Sequence, residues 1–370
     1  MPTRILAAAA LVVAAPAVHA QSTRAFKHVF LIVMENHGKG EILGNTVDAP
    51  FINDLARRSM VLGNYYGVTH PSLPNYLALV SGSFQGIWDD CKAGASVTCA
   101  PEEFVPGSGD ATDGSYLTSA QLASASAQPH WFAGSNIVDQ LEAKGLAWKA
   151  YMQSMPAGGH DVEYAPVVNG TVVKLYAQKH NPFEYFSDIR SNPARLSRIV
   201  PLETDFAPDL ASGNAPAFAF IVPDQCHDMH GISPSTAALV GLPECGYPNA
   251  GLDHGAIHLG DEFLRGAVGA IVASSAWRDH SAIVIVWDED DYTGFAGCCG
   301  SPAGNGFVLG GANAPALVLT STQRRGQVSW KAANHYTMLG TLERLLGLDC
   351  IENTCKLSRD DLLLDLFSDE

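Results

Sequence analysis

The first candidate for a reactive side chain is Ser72, which stands directly before an apolar run with helical periodicity. Leu73, Leu77 and Val80 recur at helical spacing, and Gly82 closes the run. The pattern predicts a helix with Ser72 as its N-cap. The unpaired N–H groups and the dipole at such a helix start attract an anion such as phosphate and stabilise a serine alkoxide. Ser72 is therefore a candidate nucleophile, although a serine that only caps a helix gives the same pattern.

Acidic and amide side chains directly follow two apolar runs of the kind that buried parallel strands show. Glu35 and Asn36 follow the run at 26–34, and four acids, Asp288 to Asp291, follow the run at 281–287. Four consecutive acids repel one another strongly unless a cation neutralises them or water solvates them. Carboxylate and amide oxygens suit a hard divalent cation, so the two strand ends predict a metal site, with solvated turns as the alternative.

Other polar residues stand at the ends of further predicted elements. His335 lies in the first turn of a predicted C-terminal helix, where a helix dipole lowers the pKa of a histidine and a phosphate can bind. His180 precedes an Asn-Pro turn and is either a catalytic or a surface histidine. A third strand, at 217–222, ends in a loop with three potential ligands: Asp224, Asp228 and His230.

Composition and element order predict the fold class. The chain has 370 residues, 47% of them hydrophobic and 16% charged, which is enough for one large α/β domain or two smaller ones. Strands alternating with helices predict an α/β fold with a doubly wound, mainly parallel sheet, helices on both faces and loop insertions. The strands expected are 26–34, 146–152, 217–222, 281–287 and 316–320. Helices are expected at 136–144, capped by Ser135, and from Asp261 onward.

Two segments are expected to lie apart from that core, a surface excursion at about 83–134 and an acidic tail at 357–370. The stretch at 155–213 has an irregular pattern.

The charge and the missing motifs argue against several function classes. The formal net charge is -16 and the sequence has no run rich in lysine or arginine, so a nucleic-acid partner is not expected. The sequence also has no P-loop, no G-x-S-x-G elbow and no G-x-G-x-x-G turn. Nucleotide-binding and serine-esterase interpretations therefore lose support.

The first 20 residues predict export. Arg4 precedes an apolar core at 5–15 and a small-residue end at 17–20, which is typical of a signal peptide cleaved before Gln21. No later segment is apolar enough to cross a membrane, so the expected product is a secreted or periplasmic bacterial protein without integral membrane association.

Eight cysteines agree with an oxidising compartment. Proximity in the sequence predicts three disulfides, Cys91–Cys99, Cys226–Cys245 and Cys350–Cys355. The adjacent Cys298 and Cys299 either bond to each other or bond elsewhere.

These motifs together resemble a known family. The resemblance is to the phosphoesterase family of acid phosphatases and phospholipases C, within the alkaline-phosphatase-like superfamily, and it extends from Phe26 to about Leu348. Ser72 to Asn75 also resembles the nucleophile helix of nucleotide pyrophosphatases and phosphodiesterases, where threonine replaces the serine. The segments that carry the family resemblance are 33–37, 148–151, 180–183, 287–289 and 335–339. It implies a single phosphoesterase domain over residues 21–370.

The resemblance also implies roles for the candidate residues. A divalent metal ion of unknown identity would be held by Glu35, Asn36, Asp288 and Glu289, with Ser72 beside it as a ligand and as the attacking oxygen. The remaining candidates would bind phosphoryl oxygens or handle the proton of the leaving group: Asp228, His230, His335 and His180.

The function implied is an exported, metal-dependent phosphatase that hydrolyses phosphate monoesters of small substrates through a phosphoserine. The family usually has Asn-Asp where this chain has Asp290 and Asp291. Phospholipases C usually have a longer C-terminal region, so this chain favours a phosphatase. A phosphodiesterase or phospholipase C with the same site is the alternative, for which Trp88, Trp131 and Phe132 are candidates for an apolar rim. A non-catalytic metal- or phosphate-binding protein is a further alternative.

Overall fold

The computed structural model describes residues 26–102, 116–246, 252–278, 280–322 and 326–368. The predicted signal peptide and its cleavage point lie outside these residues. The strands are β1 His28–Met34, β2 Met60–Tyr66, β3 Trp148–Met152, β4 Tyr164–Val168, β5 Thr171–Ala177, β6 Ile199–Pro201, β7 Phe218–Val222, β8 Ser281–Trp287, β9 Ala303–Gly304, β10 Phe307–Val308, β11 Ala316–Thr320 and β12 Gln327–Asn334. The α-helices are α1 Lys39–Ile42, α2 Pro50–Ala56, α3 Ser72–Ser81, α4 Ser119–Ala127, α5 Ile137–Ala143, α6 Ser187–Arg190, α7 Pro193–Leu196, α8 Leu202–Ser212, α9 Pro234–Leu239, α10 His254–Ala273 and α11 His335–Leu346.

Eight of the strands form one sheet in the order β12-β2-β11-β8-β1-β7-β3-β6. β11 runs antiparallel to both of its neighbours, and the other pairings in this sheet are parallel. β4 pairs with β5, and β9 with β10, as separate antiparallel pairs. The predicted mainly parallel α/β sheet is confirmed.

Helices cover both faces of this sheet, as the side-chain alternation of β1 illustrates. Val29, Leu31 and Val33 pack in a core with residues of α3, α5 and α11. Phe30, Ile32 and Met34 pack in a second core with residues of α2, α8 and α10. Because successive side chains of a strand point to opposite faces, one buried strand supplies both cores, and the doubly wound prediction is confirmed.

Three strands of the sheet, β2, β6 and β12, were not predicted from the sequence. Gly63 and Asn64 interrupt the apolar pattern of β2, and β12 is an edge strand with exposed residues along its first half. Gly63 has a packing reason, because a Cβ there would lie 2.5 Å from the Trp330 ring on the neighbouring strand. Gly63 therefore interrupts the apolar pattern of β2 and also leaves room for Trp330 of β12.

The stretch 155–213 and the C-terminal tail are more ordered than predicted. The stretch 155–213 contains the β4–β5 hairpin, β6 and α8, so its irregular assignment was wrong. The tail is not peripheral, because Leu363, Leu366 and Phe367 are buried against the main core. Apolar residues within short 3-10 turns anchor the tail although its composition is acidic.

Two helix starts were also misplaced. Asn136, not Ser135, caps α5, because its side chain accepts the Val138 N–H at 3.0 Å. The long helix α10 begins well before Asp261, and Asp253 caps it by accepting the Ala256 N–H at 3.1 Å. Both caps are Asx residues that sequence periodicity alone did not distinguish from their neighbours.

The disulfides agree with the predicted pairing. Bonds join the three expected cysteine pairs, and the adjacent Cys298 and Cys299 bond to each other. Among the described helices, none combines the length and apolar character that a membrane crossing requires.

Candidate active site

The centre of the candidate site is set by the register of two parallel strands. Met34 of β1 pairs with Trp287 of β8, so Glu35 and Asp288 leave the sheet side by side. The Asp288 N–H donates to the Met34 carbonyl at 3.0 Å, and both acidic side chains are fully buried. The two predicted metal-binding strand ends therefore meet at one edge of the sheet.

Ser72 reaches this centre from α3. Its Oγ lies 2.9 Å from Glu35 Oε2 and 3.3 Å from Glu289 Oε1, so the hydroxyl can donate to either carboxylate. The helix begins at Ser72 with Pro71 as its N-cap, so the prediction that Ser72 caps the helix was wrong by one position. The hydroxyl bonds to carboxylates and does not cap a backbone N–H, which leaves its oxygen buried among acids at the helix start.

Two residues beside Ser72 hold Glu289 and the turn that precedes α3. His70 Nδ1 lies 2.7 Å from Glu289 Oε2. Asn75 Nδ2 donates to the same oxygen at 3.3 Å, while its Oδ1 accepts the Val68 N–H at 2.7 Å. Sequence reasoning assigned neither residue to the site, although both lie within three residues of Ser72.

His180 and Asp228 lie on the other side of Glu35. His180 Nε2 is 3.3 Å from Glu35 Oε1, and its Nδ1 is 3.4 Å from Asp228 Oδ2. Ligand atoms of these three buried residues lie within 4.8 Å of one another. The Tyr76 ring stacks on the His180 ring at a centroid distance of 5.1 Å. The structure thus brings His180 and Asp228 to the same acidic cluster as Glu35.

His335 contacts the cluster through the backbone. Its Nε2 donates to the Asp288 carbonyl at 2.5 Å, and its Nδ1 lies 2.7 Å from Tyr65 Oη. Burial lowers the pKa of His335 to about 4, so the neutral ring predominates. In this arrangement His335 fixes the end of β8.

Of the remaining predicted residues, His230 lies beside the cluster, with its ring centroid 6.1 Å from that of His180. His230 is half-buried, and its Nδ1 lies 2.9 Å from the Gly231 carbonyl, which makes Nε2 the acceptor nitrogen of the neutral ring. Asn36 is half-buried directly after Glu35. Asp224 instead bonds to His227 and Ser154, each at 2.7 Å, and is not in the cluster.

The four-acid run after β8 divides between two environments. Glu289 faces Ser72 and also accepts from Tyr292 Oη at 3.0 Å. Asp290 accepts the Tyr292 N–H at 2.9 Å and also bonds to Thr293. The carboxylates of Asp288 and Glu289 both lie close enough to Glu35 for its charge to raise their pKa values.

Burial governs the electrostatics of the cluster. Desolvation, reinforced by neighbouring carboxylates, raises the pKa of Glu35 to about 7 and raises the pKa values of Asp228, Asp288 and Glu289 well above their usual range. Within the described part of the chain, no hydrogen bond reaches Glu35 Oε1, Asp228 Oδ2 or either side-chain oxygen of Asp288. Buried oxygens without donors fit the demands of a hard divalent cation, which would restore their ionised forms.

A cation of the protein itself lies nearby. Lys179 Nζ donates to Asp90 Oδ2 at 2.7 Å, and Asp90 Oδ1 accepts the Leu73 N–H at 2.9 Å. Burial opposes the charged lysine, but Asp90 and the acidic cluster outweigh it and raise the pKa of Lys179. Sequence reasoning missed both residues, because only the fold of the segment after α3 brings Asp90 to Lys179.

The segment that carries Asp90 is anchored by a buried pair. His130 Nε2 lies 2.6 Å from Asp89 Oδ1, and its Nδ1 lies 3.0 Å from the Val97 carbonyl. Burial alone would lower the pKa of His130, but the hydrogen bond and charge of Asp89 outweigh it and raise that pKa. The imidazolium form satisfies both acceptors.

The replacement H130Q is expected to make thermal stability less dependent on pH. Because the folded pKa of His130 lies above its usual value of about 6.5, its contribution is fully present below that pH and is lost as pH rises through the folded pKa. The difference in Tm between wild type and H130Q should therefore shrink at alkaline pH, by roughly 2–4 °C for each kcal/mol lost. Thermal unfolding from about pH 5.5 to 9 measures this. H28Q is the control, since His28 bonds to the Pro216 carbonyl and not to an acid. A constant difference at all pH values contradicts the prediction.

This chain is similar to several known proteins. A family model described as the Phosphoesterase family matches residues 45–349. A phosphatidylinositol-3-phosphatase of Mycobacterium tuberculosis is 28% identical over 323 residues, which cover 87% of this chain and 78% of that protein. A probable acid phosphatase of Kluyveromyces lactis is 30% identical over 207 residues, which cover 56% of this chain but only 39% of the yeast protein. A solved structure of an alkaline phosphatase superfamily protein from Vibrio parahaemolyticus aligns over 92% of this chain and 72% of its own, with 14% identity and a TM-score of 0.47.

Proposed function

Because this chain belongs to the phosphoesterase family, we propose that it is an exported, metal-dependent phosphatase that hydrolyses phosphate monoesters through a phosphoserine at Ser72. The observation that carries the proposal is the buried Ser72 hydroxyl at the start of α3, in contact with Glu35 and Glu289. The neighbouring Asp288 carboxylate accepts no hydrogen bond from the described residues. In that position the hydroxyl can pass its proton to a carboxylate, and the N–H groups at the start of α3 can bind an anion.

The residues proposed to hold the cation are Glu35, Asn36, Ser72, Asp288 and Glu289. A divalent cation among them would lower the pKa of the serine hydroxyl and offset the negative charge on the transferring phosphoryl group. One ligand atom from each of Glu35, His180 and Asp228 also lies within 4.8 Å of the other two, beside these proposed ligands.

The first displacement needs a base for the serine proton. Glu35 Oε2, at 2.9 Å from Ser72 Oγ, accepts that proton as the bond from Oγ to phosphorus forms and the bond from phosphorus to the leaving oxygen breaks. The leaving oxygen takes a proton from solvent water and departs as an alcohol. The products of this step are phosphoserine and the free alcohol.

The second displacement returns the serine. A water molecule attacks phosphorus and gives its proton to solvent. Burial lowers the pKa of His230 to about 3, so its ring stays neutral and acts as a polar neighbour of that water and not as the base. Glu35 returns its proton to Ser72 Oγ as the serine leaves, and inorganic phosphate is released. His335 positions Asp288 through its carbonyl and does not take part in proton transfer in this scheme.

Two observations favour a monoesterase over a phospholipase C. Both named relatives are described as phosphatases. Of the three candidates for an apolar rim, Trp88 and Phe132 are 6% and 3% exposed, and the half-buried Trp131 has the Arg190 guanidinium 5.7 Å from its ring centroid. These three residues therefore do not form an exposed apolar patch. Export is supported by the four disulfides, which suit an oxidising compartment.

A paired assay tests this substrate preference. The purified protein should hydrolyse p-nitrophenyl phosphate faster than bis(p-nitrophenyl) phosphate, by about 10²-fold or more in kcat/KM, because a diester lacks one of the phosphoryl charges that the site would neutralise. Divalent metals and pH should be varied together. A diester preference would support the phospholipase alternative, and the absence of turnover with either ester would support the non-catalytic binding protein.

A further inference from the structure

Asp90 occupies an unusual position for an acidic residue, because it lies next to the candidate nucleophile. Its two carboxylate oxygens accept from two different donors, the Leu73 N–H at 2.9 Å and Lys179 Nζ at 2.7 Å. Leu73 directly follows Ser72 at the start of α3. The Asp90 carboxylate therefore accepts hydrogen bonds both from the helix start beside Ser72 and from the Lys179 ammonium group.

Asp90 and Lys179 also face open space. Together with His230 and Glu102 they line a cavity of about 410 Å³. Their side chains are only 18% and 10% exposed, so the contact is shielded yet reached from that cavity. A ligand that enters the cavity meets this pair and His230.

The backbone on either side of Asp90 is fixed. Asp89 bonds to His130 and accepts the Cys91 N–H at 3.0 Å, while the Cys91 carbonyl accepts from Tyr185 Oη at 2.7 Å. A disulfide joins Cys91 to Cys99. Withdrawal of the Asp90 carboxylate therefore needs only a side-chain rotation.

Opposing interactions act on the Asp90 carboxylate, because Lys179 and the Leu73 N–H attract it while the acidic cluster repels it. Its charge contributes to the raised pKa values of Glu35 and Glu289, so these three acids repel one another. A backbone N–H at a helix start and a lysine are the kinds of donor that bind phosphoryl oxygens. The same two donors could serve a phosphoryl group on Ser72 once the carboxylate moves away.

We propose that the Leu73 N–H and Lys179 bind the phosphoryl oxygens of the substrate and that Asp90 holds these donors in the free protein as an internal anion that substrate must displace. This inference rests on the proposed function of Ser72 and assigns Lys179 as a substrate-binding residue. Asp90 lowers the affinity of the site for phosphate and, on its return to the two donors, helps to release the product.

The test is the affinity for inorganic phosphate, measured by calorimetry and as a competitive inhibition constant. D90N keeps an acceptor for the Leu73 N–H but removes the charge that competes for Lys179, and it should bind phosphate about tenfold more tightly, equivalent to about 1.4 kcal/mol. E102Q is the matched control: Glu102 lines the same cavity, burial raises its pKa to about 7 so that it is only partly ionised at neutral pH, and among the described residues its side chain makes no hydrogen bond to either donor. Its affinity should change by less than about twofold.

A second variant tests the lysine independently of the folding of D90N. K179Q should bind phosphate about tenfold more weakly than wild type, because it loses the charged donor. Equal or weaker phosphate binding by D90N, an equal gain in E102Q, or unchanged binding by K179Q would each overturn the proposal. Calorimetry needs no turnover: tighter binding by D90N in a protein without phosphatase activity would support this site and contradict the proposed function. Phosphatase activity in a protein whose D90N variant shows no gain in phosphate affinity would contradict this site alone.

Discussion

Replacement of Ser72 by alanine is expected to lower turnover of phosphate monoesters by at least about 10³-fold, without loss of the fold. The substitution removes the only side-chain atom proposed to attack phosphorus and leaves the carboxylates of Glu35 and Glu289 unchanged. Because alanine has high helix propensity and fits within the volume of serine, α3 should form as before. The measurement is kcat for p-nitrophenyl phosphate, with Tm and circular dichroism as tests of folding.

S81A is the matched control for this experiment. Ser81 lies on the same helix, is also fully buried, and its hydroxyl donates to the Leu77 carbonyl at 2.8 Å. Its removal should leave kcat within about twofold of wild type, since that hydroxyl does not contact the acidic cluster. Rapid acid quenching of the wild type during turnover should yield a peptide in which Ser72 carries one phosphoryl group. Full activity in S72A, or a phosphoryl group on another residue, would contradict the serine mechanism.

The centre of the site could be predicted because strand ends are easy to recognise. The runs before Glu35 and Asp288 are apolar throughout, and parallel strands that end at the same edge bring their next residues together. Ser72 was located by helical periodicity, with an error of one position in its cap because Pro71 takes that place. These inferences need only local sequence and one rule of sheet topology.

The supporting residues could not be predicted because they depend on loops. His70 contacts Glu289 across 219 positions of sequence, and Lys179 contacts Asp90 across 89. Neither contact follows from periodicity, since each requires the path of a turn or an insertion. For the same reason the edge strand β12, which has exposed residues over much of its length, lacked the apolar run that identified β1 and β8.

The proposed divalent cation is expected to support both turnover and stability. Removal of divalent metal by a chelator is expected to abolish turnover and lower Tm by roughly 5 °C, because a ligand present at 100 times its Kd contributes about 2.7 kcal/mol. Tm falls because the buried carboxylates repel one another when the metal is absent. Both Asp288 oxygens lack hydrogen-bond donors in the described part of the chain. Addition of Mg²⁺, Mn²⁺, Ca²⁺ or Zn²⁺ should restore both properties to different extents.

D288N should reverse the order of stability between the two conditions. With metal present the variant should have a lower Tm than wild type and at least about 10²-fold lower kcat, because it loses a charged ligand. With chelator its Tm should equal or exceed that of wild type, because the neutral amide removes one of the repelling charges. D261N is the control: Asp261 is also fully buried but accepts the Phe51 and Ile52 N–H groups at the start of α2. Its Tm should fall equally in both conditions. A Tm and a turnover that do not respond to chelator would show that Glu35, Asp288 and Glu289 persist as a buried cluster by sharing protons, and the metal-dependent mechanism would then lose its basis.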